Sequence, residues 1–158
     1  MMGASLEQRL RNLGIEPSPP VTPGANFAAT KRVGNLLYVS GQVPVSGGVD
    51  QHVGKLGADL SLEEGQAAAQ ICAINILSQV NQAVGGDFDH VVGCVRLGGF
   101  VNAAADFKDH PKVLNGASDL IIAVLGDAGR HTRAAVGCNS LPRGVAVEVD
   151  AIFELASR

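Results

Sequence analysis

The chain has 158 residues, of which 46% are hydrophobic, 4% aromatic and none Trp, with 20 glycines and a formal net charge of −3. That length suits one domain with a core of Val, Ile, Leu and Ala, and an acidic balance without a basic stripe argues against a nucleic-acid partner. Cys72, Cys94 and Cys138 are odd in number, far apart and free of any CxxC pattern, which argues against a disulfide framework or a zinc site and fits a reducing compartment. Met1 to Leu10 lacks the apolar stretch of a signal peptide, and no apolar run is long enough to span a bilayer. The expected location is cytoplasmic, with no membrane contact.

Ser5-Leu6-Glu7-Gln8 reads as a capping box opening a short helix that runs to about Leu13 and stops at Gly14. The Pro-rich segment 17–23 is an extended connector too short to separate domains. Residues 1–22 are therefore expected to be an N-terminal helix and connector on a single domain spanning 1–158. Leu36 to Ser40 is a short apolar strand, extended through Gln42 to Pro44. Ser46-Gly47-Gly48 is a turn, and Val53 to Leu56 a short strand. Ser61-Leu62-Glu63-Glu64 is a second capping box. From it a helix should run to Val84, with Ala67, Ile71, Ile74, Leu77 and Val80 on its apolar stripe and Gly85-Gly86 ending it.

Val91 to Val101 reads as a Val-rich strand in which Gly98-Gly99 marks a bulge or a close backbone approach. His110-Pro111 starts a helix with Pro in its first turn. Val113, Leu114, Ala117, Leu120, Ile121 and Val124 form its stripe, and Gly126 ends it. Two strands close the chain, Thr132 to Cys138 and Val145 to Leu155, joined through Leu141-Pro142-Arg143-Gly144. This order predicts an α+β fold: one mixed sheet of about six strands with two long helices on one face, plus the N-terminal helix. The other sheet face is left uncovered.

The last strand alternates. Val145, Val147, Val149, Ala151, Phe153 and Leu155 should pack under the helices, while Ala146, Glu148, Asp150, Ile152 and Glu154 face away. With Leu141 to Gly144 as a hairpin loop, Arg133 faces Ile152 and Gly137 faces Glu148, placing Arg133 and Glu148 on the uncovered face, roughly 13 Å apart. That is long for contact within one chain, so a neighbouring subunit could bring one chain's Arg133 near another's Glu148. The guanidinium is a planar fork suited to a carboxylate, and Ala134, Ala135 and Gly137 leave room around it.

Arg133-Ala-Ala-Val136, Leu141-Pro142-Arg-Gly144 and Val147-Glu148-Val149 together resemble the C-terminal signature of the RidA/YjgF family, also called liver perchloric-acid-soluble protein. Tyr38-Val-Ser40-Gly41-Gln42-Val-Pro44 resembles its second signature, and the likeness runs from about Pro23 to Leu155. The resemblance implies a chorismate-mutase-like fold and a homotrimer with three intersubunit clefts that bind small carboxylates, keto acids or imino acids. Its enzymatic members hydrolyse enamines and imines such as 2-aminoacrylate to keto acids and ammonia, with neither metal nor organic cofactor. By that resemblance Arg133 grips the substrate carboxylate and Glu148 orients the attacking water. Ser40, Gly41 and Asn115 line the cleft. Phe27 stands where deaminating members carry tyrosine, Ala135 replaces a larger or polar neighbour of the arginine, and one extra residue lies within 126–131. These departures and the N-terminal extension resemble a longer, less characterised branch.

His131, two residues before Arg133, is a further candidate for the cleft wall. His52, His90 and His110 are scattered and lack metal-ligand spacing. Cys138 has no histidine beside it in sequence to activate it, so a structural thiol is expected. Three functions follow: an imine/enamine deaminase, a non-catalytic trimer that binds or senses a small carboxylate, and an endoribonuclease. The acidic charge disfavours the last.

Overall fold

In the computed structural model, which describes residues 3–158, each helix begins where a local signal places it. Ser5 Oγ accepts from the Gln8 amide and the Gln8 side chain from the Ser5 amide, opening helix α1, Leu6–Asn12. Ser61 and Glu64 repeat that exchange at the start of α2, Leu62–Ala83. Pro111 occupies the first turn of α3, His110–Leu125, where a missing N–H costs nothing. Left-handed glycines end these helices: Gly14 at φ 74°, Gly85 at 66° and Gly126 at 65°. Met1 and Met2 of the 1–22 extension lie outside the described residues.

The main sheet has five strands in the order β1 (Thr30–Val33), β2 (Leu36–Gln42), β7 (Val147–Leu155), β5 (Val91–Asn102) and β6 (Thr132–Cys138). A separate ribbon pairs β3 (Val45–Ser46) with β4 (Val49–Asp50) around Gly47-Gly48. Thr30-Lys-Arg-Val33 forms an edge strand without the apolar alternation that would announce it. The expected strand at 53–56 reduces to isolated bridges, Val53 with Val145 and Leu56 with Leu60 and Ala103.

The closing hairpin does not form. Strand β6 pairs in parallel with β5, Arg133 opposite Leu97, and β7 lies antiparallel on the other side of β5. The reason is the helix between β5 and β6. A β–α–β crossover returns the chain in the same direction, and α3 is that crossover. The segment 139–146 therefore passes over the end of β5, with Arg143 at φ 55° and Gly144 at φ 73°.

This pairing decides which way Arg133 points. Leu97 opposes both Arg133 and Ala151 and is fully buried, so Arg133 lies on the helix side of the sheet. Glu148 opposes Phe100 on the open side. The two candidates thus occupy opposite faces, contrary to the hairpin expectation.

The core fills the space between the sheet and α2 and α3. Every inward residue expected on the last strand is buried, as is the whole α3 stripe; Ala146, expected to face away, is buried too, because it precedes β7 and is held between His52 and Asn102 by backbone hydrogen bonds. The buried stripe of α2 is rotated from the expected one. Ala69, Cys72, Ala73 and Ile76 join Leu77 and Val80 inside, whereas Ala67 is exposed and Ile71 and Ile74 are half-buried. Small residues win that face because α2 crosses α3 closely: a Cβ on Gly116 would collide with the Gln66 carbonyl. Gly116→Ala should therefore destabilise the chain by about 1–3 kcal/mol, read as a lowered urea midpoint at an unchanged slope.

Candidate functional site

Arg133 projects from edge strand β6 onto α3. Its Nη1 donates to Asn115 Oδ1 (2.9 Å) and Ser118 Oγ (3.1 Å), and its Nη2 to the Pro111 carbonyl (3.3 Å). Asn115 and Ser118 are three apart on one helix face, so both meet the same side chain. Of the five guanidinium N–H groups, three are thus committed. Nε–H and the second Nη2–H have no partner among the described residues. They form one edge of the planar group, a fork of the spacing that grips two carboxylate oxygens.

His131 is drawn into this set from behind. Its Nδ1 lies 2.6 Å from the Gly129 carbonyl and its Nε2 2.9 Å from Ser118 Oγ. A carbonyl can only accept, so Nδ1 carries the proton and Nε2 accepts from the Ser118 hydroxyl. Both ring nitrogens are engaged within the chain, and the histidine stands behind Ser118 rather than presenting a free nitrogen to a ligand. Ala135 packs part-buried on the core beside this cluster. Ser118 was missed in the sequence; its spacing from Asn115 was the available signal.

On the other face, Phe27, Ser40, Gly41 and Glu148 come together. Strand β2 bulges between Val39 and Gln42, so Ser40 and Gly41 fall opposite Asp150 on β7. Ser40 Oγ donates to the Ala28 carbonyl at 2.7 Å, holding the loop that carries Phe27, a residue 52% exposed. Gly41 is needed for space: a Cβ there would sit 2.6 Å from Glu148 Oε1. Two open cavities of about 570 and 700 Å³ meet at Phe27, Gly41 and Glu148. The smaller contains Arg96 and Asp150, paired at 3.4 Å. The larger reaches Val21–Ala25 of the connector and the Arg143–Asp50 pair, bidentate at 2.7 and 2.8 Å.

Glu148 is half-buried and no hydrogen bond to its carboxylate is formed among the described residues. Burial first, and then the negative charge of Asp150, lift its pKa above the ordinary carboxylate range. The cysteines are unsuited to nucleophilic work. Burial raises all three thiols, Cys94 to about 12, and at Cys138 the nearby Lys55 only partly offsets it. His90 pairs with Asp87 at 3.1 Å and His110 meets Phe107 edge-on. Among the described residues no group of three His, Cys, Asp or Glu side chains could hold a metal ion, and no helix is long and apolar enough to cross a membrane.

The architecture is that of a chorismate-mutase-like α+β protein. The family described as "YjgF/chorismate_mutase-like, putative endoribonuclease" matches residues 7–154, and the chain belongs to it. It is 46% identical to Protein TCP17 of Trypanosoma cruzi over 147 residues, 92% of this chain and 91% of that one. It is similar to the crystal structure of Atu1372 from Agrobacterium tumefaciens: TM-score 0.89, 44% identity, 96% of this chain and 94% of that one. A "putative endoribonuclease" from Shewanella oneidensis MR-1 superimposes with a TM-score of 0.91 at 34% identity, covering 96% of this chain and all of that one (100%).

Asp150→Asn tests the electrostatics of the open face. Removing that charge should bring the Glu148 pKa down towards, though not to, the ordinary range, because burial remains. A carboxyl-detected NMR titration of the two proteins measures the difference.

Proposed function

We propose that the protein is a homotrimer whose intersubunit clefts each combine Arg133 of one protomer with Glu148 of the next, and that these clefts hydrolyse small 2-imino acids or their enamine tautomers. The observation that carries this reading is the Arg133 fork. Three fixed N–H groups leave one outward edge shaped for a carboxylate. Opposite faces prevent Arg133 and Glu148 of one chain from sharing a ligand, so a second copy has to complete the site. The open sheet face supports such packing: Tyr38 (46% exposed), Phe100 (37%) and Val136 (49%) lie bare there.

The reaction needs little beyond orientation. With the carboxylate held by Arg133, the C=N carbon is presented to a water placed by Glu148. The water oxygen bonds to that carbon, Glu148 takes the departing proton, and the nitrogen is protonated. Collapse of the carbinolamine breaks the C–N bond and gives the 2-keto acid and ammonia. Glu148 accepts a proton only when ionised, so the rate should fall as pH drops through its raised pKa.

A second reading keeps the carboxylate and drops the turnover. Phe27 brings a bare ring, with no hydroxyl, to the wall beside Glu148. Saturable keto-acid binding without ammonia release would favour this non-catalytic reading. RNA cleavage would call for a basic track, against a net charge of −3.

The decisive assay is ammonia release from freshly generated 2-aminoacrylate. Arg133→Ala should lower kcat/KM by about 10–100-fold, the loss of a charge-assisted hydrogen-bonded pair. Co-refolding Arg133→Ala with Glu148→Ala chains should restore activity in roughly a quarter of the clefts under random mixing. No restoration would show that one chain supplies both residues.

A further inference from the structure

Arg133 and His131 both reach Ser118, from opposite sides of its hydroxyl. His131 Nδ1–H donates to Gly129 O at 2.6 Å, the Ser118 hydroxyl donates to His131 Nε2 at 2.9 Å, and Arg133 Nη1 donates to Ser118 Oγ at 3.1 Å. The donors run in one direction, from the guanidinium through the hydroxyl to the ring and on to a backbone carbonyl. Serine can donate one proton and accept others. With its proton committed to His131, its lone pairs are turned towards Arg133. The histidine thereby sets the rotor of the serine, and the serine sets the plane of the guanidinium.

We propose that His131 is a positioning residue of the anion site: acting through Ser118, it fixes Arg133 with its Nε–Nη2 edge outward, without itself touching the ligand. The proposal rests on the carboxylate-binding reading above and deepens it, because it makes affinity depend on a two-residue relay behind the fork. A serine 2.9 Å from a histidine whose far nitrogen is held by a third group also resembles an activated nucleophile. Here the serine is 7% exposed and its oxygen already accepts from Arg133. An oxygen so enclosed and so occupied serves as a support for the arginine.

Without the ring, the Ser118 hydroxyl has no fixed acceptor on that side. Mid-helix serines then turn back to a carbonyl of the preceding turn, and the acceptor offered to Arg133 is lost. Asn115 and Pro111 still offer acceptors for two N–H groups, so Arg133 stays at the site, but its guanidinium turns over about the Nε–Cζ bond faster. Loss of an aligned hydrogen bond of this kind weakens binding by about fivefold. His131→Gln keeps an acceptor near the position of Nε2, whereas His131→Leu offers none.

The test is nitrogen-resolved NMR of the full-length protein, with a pyruvate titration of the same samples. Wild type should show His131 as the Nδ1–H tautomer and the two Nη groups of Arg133 as separate signals, the mark of arrested rotation. His131→Leu should merge the Nη signals and weaken pyruvate binding by about fivefold, and His131→Gln should retain both properties. The double variant His131→Leu/Ser118→Ala should bind no worse than the weaker single variant, since both act through one hydroxyl. An Nε2–H tautomer would overturn the proposal. So would separate Nη signals in His131→Leu, even with a lowered melting temperature, because the ring would then be structural only. If wild type shows the tautomer and the arrested arginine but binds no pyruvate, the relay stands and the carboxylate reading is the part that fails.

Discussion

Helix α3 joins two neighbouring strands of one sheet, and that connection constrains everything around the site. A chain that leaves β5, packs a helix on the sheet and returns beside β5 has to return parallel to it. Parallel return sets Arg133 opposite Leu97, on the side where α3 lies. The crossover helix then supplies the groups that hold the guanidinium: Asn115, Ser118 and the Pro111 carbonyl all belong to α3. Strand β7, inserted between β2 and β5, carries Glu148 on the face that α3 does not cover. One topological rule thus holds the Arg133 guanidinium against α3 and leaves the Glu148 carboxylate on the other face of the sheet.

Close approach by glycine is the second device, used on both faces. Under the helices, Leu114 sits where a Cβ of Gly99 would be, and the Gln66 carbonyl where one of Gly116 would be. On the open face Gly98 lies beneath Arg96 and Asp150, and Gly41 beneath the Glu148 carboxylate, at 2.6 Å from its Oε1. Adjacent Gly98 and Gly99 serve opposite faces, as alternation along a strand requires. Their register with β6 and β7 is continuous, so the pair marks close approach and not a bulge.

Much of this was legible in the sequence, and the parts that were not share a cause. Capping boxes at Ser5 and Ser61, Pro111 at a helix start and left-handed glycines at helix ends are local, and each appears where its residues put it. The inward set of β7 and the stripe of α3 follow from periodicity alone. Strand pairing is not local. Four residues between two strands suggested a hairpin for Leu141 to Gly144, and only the preceding β–α–β order opposed it. The error carried Arg133 to the wrong face, and its contact with Asn115 emerges only from the parallel pairing. The α2 stripe was misplaced for a different reason. Bulky Ile71 and Ile74 dominate a pattern, yet Ala69, Cys72 and Ala73 are what fit where helices cross closely. Ser118 went unread because its one signal, the three-residue spacing from Asn115, has meaning only once Arg133 is known to lie on the α3 side.

The buried polar face of α2 shows how the N-terminal extension is tied to the open side. Asn75, Ser78 and Gln79 are each at least nine-tenths buried, on a helix whose other inward residues are apolar. Each donates to a backbone carbonyl in the connector or in the stretch that follows β2: Asn75 to Val43 and Val45, Ser78 to Ser18, Gln79 to Val21. The Val43 carbonyl also accepts from the Val45 amide, whereas leaving the others buried without a donor would cost about 1–3 kcal/mol apiece. The donors therefore fix the path of the proline-rich connector and of the segment after β2. Those two segments are the walls of the larger cavity beside Glu148. Helix α1, docked through Leu6 and Leu10 and through Arg9 to the Val124 carbonyl, anchors the far end of the connector. A helix remote from Glu148 thereby helps to shape the cavity that Glu148 borders, through carbonyls held by side chains on α2.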